Sequence, residues 1–186
     1  MKTLIEAPEF KLLSPERVFQ ELRHALGCAR PSVFFRGLRS IGGLLFYFQE
    51  LEACGDWEAR MAALDVAEDL LVRYAILTQD TGTMGSRLLV PNDWTEAAST
   101  YSRFSSQVLR YDGLRAEDIV TMLYEMDAFR KPNSVQVLAH LSRELATDFE
   151  LIKNISAKDV ALNFSGKEIG EAIREKRIGL LRTKGK

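Results

Sequence analysis

Apolar positions recur at three- and four-residue intervals along almost the whole chain, the spacing that gathers them on one face of a helix. In "SPERVFQELRHAL" they are Val18, Leu22, Ala25 and Leu26, with Ser14 placed to cap the helix, Pro15 to open it, and Arg17 and Glu21 one turn apart. "RPSVFFRGLRSIG" restarts at Pro31 and ends at Gly42-Gly43, before a short apolar run from Leu44 to Leu51. The pattern then predicts one long helix from Trp57 to about Gln79, with Met61, Leu64, Ala67, Leu71 and Ala75 on its buried face and Gly82 and Gly85 beyond it. Pro91, Asn92 and Asp93 start the next helix, which runs to about Arg110. "LRAEDIVTMLYEMDAFRKP" has acids in its first turn and Arg130 and Lys131 in its expected last turn, the order the helix dipole favours. A helix from Pro132 to about Phe149, a helical turn near "SAKDVALNF" and a terminal helix opening at "SGKEIGEAI" complete the chain. No segment alternates like a strand, and no repeat or low-complexity linker interrupts the pattern. The fold class is all-α, a multi-helix array of about eight to ten helices with no sheet.

Composition sharpens this picture. Of the 186 residues, 46% are hydrophobic, enough for a real core, and single domains are comfortable at roughly 100 to 200 residues. The net charge of −1 argues against a chain that coats nucleic acid along its whole surface. The charge is unevenly spread, however. The last stretch from Ser165 carries Lys167, Arg174, Lys176, Arg177, Arg182, Lys184 and Lys186 against Glu168, Glu171 and Glu175. Acids gather instead at Glu50, Glu52, Asp56, Glu58, Asp65, Glu68 and Asp69, with Arg60 the one base among them. Cys28 and Cys54 have neither the spacing nor the number of a disulfide framework, no signal sequence is evident, and "IGGLLFYF" is far too short to span a bilayer. A soluble cytoplasmic protein without a membrane role is expected.

Little of the chemistry is catalytic. His24 and His140 are the only histidines, neither with a partner at metal-ligand spacing, and no phosphate-binding loop, nucleophile elbow or dinucleotide fingerprint occurs. The pairs Glu68-Asp69 and Glu117-Asp118 read as solvated helix faces and first-turn acids. "YAILTQDTGTM" ends an apolar helix in the bare carboxylate of Asp80, a way of presenting a metal ligand. "SGKEIGEAIREKRIG" is more suggestive: Gly166 and Lys167 at a helix start combine free amides, a positive dipole end and an ammonium, a setting that suits phosphate. Arg174, Lys176 and Arg177 extend that charge one to two turns along, on a tail expected to be exposed.

Five segments in order, "LSPERVFQELRHAL", "RPSVFFRGLRSIGGLLFYFQELEA", "LLVPNDWTEAAS", "LYEMDAFRKPNSVQVL" and "FSGKEIGEAIREKRI", resemble the C-terminal two-thirds of bacterial class II tRNA nucleotidyltransferases, the CCA-adding enzymes and their poly(A) polymerase relatives. The likeness is to the long form and spans about Ser14 to Ile178. It implies neck and body helices over 1–56, a degenerate HD-like helix and connection over 57–90, and body and tail helices with a basic terminal helix over 91–186. In the long form a metal-binding His-Asp dyad stands where this chain has Gln79-Asp80, so Asp80 is expected to be a remnant that holds no metal.

The resemblance further implies that Arg17 and Glu21 brace a nucleotide site belonging to a nucleotidyltransferase head domain. The head's Gly-Ser pair, Mg²⁺-binding carboxylates and base-reading segment do not precede Ser14. The chain alone is therefore expected to hold no cofactor and to catalyse nothing, with Mg²⁺ and ATP or CTP expected only in a full-length parent. Its implied partners are the acceptor stem and T-arm of tRNA, met through Gly166, Lys167, Arg174, Lys176 and Arg177. The alternative is a helical protein-interaction scaffold that docks a partner through the acidic face from Glu50 to Asp69, with no RNA role. Salt dependence separates the two.

Overall fold

Helix α1 (Pro15–Leu26) starts where the sequence places it: the Ser14 hydroxyl accepts the Arg17 amide at 3.3 Å, and Val18, Phe19, Leu22, Ala25 and Leu26 are buried. The computed structural model describes residues 13–52, 55–79, 81, 84–160 and 166–186. Asp80, Gly82, Cys54 and Ser165, on which parts of the sequence reading rest, lie outside the described residues. Among those described there are twelve α-helices, eight of seven residues or more, and no strand. No helix among them is long and apolar enough to cross a membrane. The chain divides into two compact units, Met1–Ser102 and Arg103–Lys186, the boundary falling inside one helix.

The first unit contains α1, α2 (Pro31–Ser40), α3 (Leu44–Tyr47), α4 (Gln49–Glu52), α5 (Trp57–Val66), α6 (Leu70–Thr78), α7 (Met84–Arg87) and the start of α8 (Asn92–Val108). The long helix expected from Trp57 to Gln79 is two helices. Ala67 and Asp69 are extended, and the Asp69 carboxylate accepts the amides of Leu71 and Val72 at 2.8 and 3.0 Å. An aspartate is worth more as an N-cap than inside a helix, and apolar periodicity does not register that preference. On α8, Trp94 packs edge-on against Phe19 and Tyr74, with ring centres 5.3 and 5.2 Å away.

Helix ends in this unit are completed by charged side chains from other helices. Arg30, before α2, offers no side-chain cap; Asp65 on α5 accepts the Ser32 amide at 3.0 Å and its hydroxyl at 2.7 Å. Arg73 on α6, buried, donates to the carbonyls of Ala67 at 2.6 Å, Cys28 at 2.8 Å and Leu26. Arg60 on α5 donates to the carbonyls of Leu77 at 2.9 Å and Gln79 at 2.6 Å. The last carbonyls of a helix lack partners and carry its negative partial charge, which is what a buried many-donor cation requires.

The second unit holds the rest of α8, a 3₁₀ turn at Tyr111–Gly113, α9 (Ala116–Glu125), α10 (Asn133–Gln136), α11 (Arg143–Ile152), a 3₁₀ turn at Ala157–Asp159 and α12 (Lys167–Lys184). Ile119, Leu123, Leu138, Leu145, Ile152 and Leu181 are fully buried.

Arg130 and Lys131, expected in the last turn of this helix, lie in the turn beyond α9. Asp127 takes the left-handed conformation (φ 53°), its amide bonds the Tyr124 carbonyl, and the Ala128 amide reaches back to Leu123 at 3.0 Å. This is a Schellman stop with aspartate in the place glycine usually takes. Likewise the helix expected from Pro132 to Phe149 is split, because Ser142 turns extended and accepts the Leu145 amide at 3.4 Å to start α11 afresh.

Candidate nucleic-acid interface

Helix α12 begins at Gly166, whose φ of 53° and ψ of −120° fall where residues with a Cβ are strained, and no side chain caps its first amides. Lys167, its first residue, is exposed. Ile178 and Leu181 bury the other side of the helix, which packs on α9 and α11.

The basic residues of this helix fall into distinct environments. Arg174 is exposed; its Nη2 donates to the Thr121 hydroxyl at 2.7 Å, and its guanidinium carbon stands 5.8 Å from the Tyr124 ring centre. Lys176 is exposed and donates to the Asp159 carbonyl at 2.9 Å. Arg177, expected at the surface, is 6% exposed. Its Nη1 donates to the Tyr124 hydroxyl at 2.7 Å, its Nη2 to the Ile155 carbonyl at 3.0 Å, and its guanidinium lies 3.4 Å from the Phe129 ring centre. Burial pushes the Arg177 pKa down, and Tyr124 opposes the shift. Further along, Arg182 pairs with Glu117, Lys184 with the fully buried Asp148, and Lys186 with Glu144 at 2.7 Å. Lys186 beside Glu144 holds that carboxyl below the usual range. Of the residues singled out in the sequence, Gly166, Lys167, Arg174 and Lys176 are therefore open to solvent on one helix, whereas Arg177 is an internal tie.

Arg17 and Glu21 form an exposed pair on α1, 4.0 Å apart, of the kind that contributes little to stability and leaves both groups accessible. The acids of the run are mostly paired. Glu50 pairs with Arg87 at 2.8 Å, Glu52 with Arg39 at 3.5 Å, Asp56 with Arg60 at 3.1 Å and Glu58 with Arg36 at 2.6 Å. Asp65 and Asp69 cap helices, and Glu68 is exposed. Burial alone would raise the Asp65 carboxyl, but the Ser32 hydroxyl and amide, with Arg30 and Arg36, hold it low.

His24 and His140 are exposed; His140 has Nδ1 3.1 Å from the Val137 carbonyl, and partial desolvation lowers its pKa. Among the described residues, no group of three His, Cys, Asp or Glu converges as a metal-holding cluster. Where the resemblance places a metal dyad, Gln79 is half-buried and its carbonyl is bound by Arg60.

Sequence reasoning passed over Tyr124, Thr121, Tyr111 and Asp148. Tyr124 stands within "LYEMDAFRKP", a segment already prominent, but only the α9–α12 packing shows that α12's arginines converge on it. The Tyr111 hydroxyl donates to Asp148 at 2.9 Å beneath Lys184.

Comparison with known proteins finds relatives along nearly the whole chain. A CCA-adding enzyme of Coxiella burnetii is 26% identical to this chain over 201 residues, covering 98% of this chain and 54% of that protein. Multifunctional CCA proteins of Xanthomonas oryzae pv. oryzae and Xanthomonas campestris pv. campestris are 28% identical over 242 residues, covering 97% of this chain and 59% of theirs. This chain is related to the CCA-adding enzymes. It spans about half the length of these CCA-adding relatives, a coverage consistent with the C-terminal region of a CCA-adding enzyme. The span matched in the Xanthomonas proteins is longer than the chain itself, so they carry additional residues within it. No family model and no solved structure matches the chain.

Proposed function

We propose that this chain is the tRNA-holding module of a CCA-adding tRNA nucleotidyltransferase, gripping the acceptor stem and T-arm, and that it transfers no nucleotide by itself. The reading rests on the match to CCA-adding enzymes across 97–98% of the chain but about half of theirs. The exposed cations of α12 support it. Double-helical RNA offers proteins its shape and phosphates more than its base edges, and phosphates reward a localised set of Lys and Arg on an otherwise acidic surface. Lys167, Arg174 and Lys176 supply that set, Gly166 leaves the first amides of the helix uncapped beside them, and Arg177 holds the helix that presents them.

Arg17 and Glu21 brace the nucleotide site of the parent enzyme's head domain, which brings Mg²⁺ and ATP or CTP. The segment 57–90 is a degenerate HD region. Two observations support this: Gln79 stands at the dyad's histidine position with its carbonyl tied to Arg60, and the Xanthomonas relatives are longer within the matched span. The scaffold alternative is less supported, since Glu50, Glu52, Asp56 and Glu58 are paired with Arg87, Arg39, Arg60 and Arg36 and so carry less unbalanced charge than the sequence suggests.

The test mixes the purified chain with labelled CTP or ATP, Mg²⁺ and a tRNA transcript lacking its 3′ end, and in parallel titrates labelled tRNA with the chain. Binding without incorporation is expected. Absence of binding at low salt contradicts the tRNA reading, and incorporation by protein free of other enzymes contradicts the inactivity.

A further inference from the structure

Tyr124, on α9, keeps 40% of its surface exposed, and its surroundings fix its orientation. The hydroxyl accepts from buried Arg177 at 2.7 Å, and the ring leans on Phe129 with centres 4.9 Å apart. Phe129 in turn packs against Phe149 at 5.8 Å. The hydroxyl is thus held by a buried guanidinium, which also lies 5.4 Å from the ring centre, while two-fifths of the residue's surface stays exposed.

Over one side of the ring, its guanidinium carbon 5.8 Å from the centre, stands Arg174, anchored at one nitrogen. Its Nη2 donates to the Thr121 hydroxyl, which itself donates to the Glu117 carbonyl at 2.7 Å. Among the described residues Nε and Nη1 of Arg174 have no protein partner, leaving the flat fork that fits a phosphate. The Glu117 carboxylate is engaged by Arg182.

We infer that Tyr124 and Arg174 form a subsite for one unpaired RNA nucleotide, its base stacked on the Tyr124 ring and its phosphate on the Arg174 fork. This rests on the tRNA-holding reading and adds to it a single-stranded contact that base-paired stems do not supply. Every base has a π face, so the subsite tolerates any sequence. Unpaired bases next to structured RNA are the parts that proteins commonly take on aromatic and guanidinium planes.

The experiment measures the affinity of the full chain for fluorescein-labelled dodecaadenylate, for an RNA duplex of the same length and for a tRNA transcript, with thermal melts of every variant. Tyr124→Leu is expected to weaken dodecaadenylate binding about tenfold, the order that a base–aromatic stack contributes, while Tyr124→Phe stays within about twofold. Arg174→Ala, at an exposed position, weakens both dodecaadenylate and tRNA. Duplex affinity is unchanged in Tyr124→Leu. If the Tyr124 variants melt early, Arg174→Ala carries the test. Wild-type affinity for dodecaadenylate in a folded Tyr124→Leu or Arg174→Ala protein overturns the subsite, as does a wild type that binds tRNA but not dodecaadenylate; both outcomes leave the tRNA reading standing. A wild type that binds no RNA at all overturns both.

Discussion

The guanidinium of Arg177 lies 3.4 Å from the centre of the Phe129 ring, and that stacking separates the basic residues of α12 by role. Arg177 holds the helix against α9 and the end of α11, whereas Lys167, Arg174 and Lys176 face solvent from the same helix.

Replacing Arg177 by Ala therefore destabilises the protein by about 2–3 kcal/mol, since it removes two hydrogen bonds from a charged donor and a cation–π interaction. Arg174→Ala costs no more than about 0.5 kcal/mol, the usual scale for a surface change. Urea denaturation of the two variants checks the contrast, and equal midpoints contradict it. Arg177→Met restores part of the stability by filling the space beside Phe129.

Asp127→Gly is expected to stabilise the chain by about 0.5–1 kcal/mol, because glycine occupies the left-handed position at the end of α9 without strain. The exposed Asp127–Arg130 pair that it gives up, 3.8 Å apart, is worth less. A lowered melting temperature contradicts this account of the helix stop.

Much of the helical order was legible in the residues because its signals are local: Ser14-Pro15 before α1, Pro91-Asn92 before α8, Gly166-Lys167 before α12. The breaks at Asp69 and Asp127 were not. Asp69 caps in the midst of an uninterrupted apolar period, and Asp127 stops a helix without the glycine that announces such a stop. The same distinction governs the site. The positions of the basic residues stand in the sequence, but the burial of Arg177 depends on Phe129, which the Asp127 turn brings back onto α9. The acidic run looked unopposed because its partners, Arg36, Arg39 and Arg87, stand outside it in the chain.

Stability falls with alkali. Burial raises the Tyr74 hydroxyl to about 12 and pushes Tyr101 and Tyr111 in the same direction, Tyr111 also through Asp148. An unfolded tyrosine titrates near roughly 10, so between about pH 10 and 12 the native state binds more protons and stability declines as pH rises. Below about pH 10 this contribution is fully present. Chemical denaturation across that range is expected to show the decline, shallower in Tyr74→Phe; an identical slope in that variant contradicts the assignment.

On the proposal that 57–90 is a degenerate HD region, chelator-free protein is expected to contain no stoichiometric Zn, Mn, Ni or Fe, because the resemblance sets Gln79 at the dyad's histidine position and one carboxylate at Asp80 makes a poor site. Elemental analysis decides this. A bound transition metal that disappears in Asp80→Ala revives a working HD centre.

The most direct test of tRNA holding is a salt titration of tRNA affinity for the wild type and for the Lys167→Ala, Arg174→Ala, Lys176→Ala triple variant, with melts to confirm that both are folded. Removing one cation–phosphate pairing flattens the plot of log affinity against log salt by roughly 0.7–0.9 units. The account predicts a weaker and flatter response in the triple variant, about equal for all tRNAs. Unchanged affinity and slope in a folded triple variant contradict the claim that α12 is the RNA-binding face.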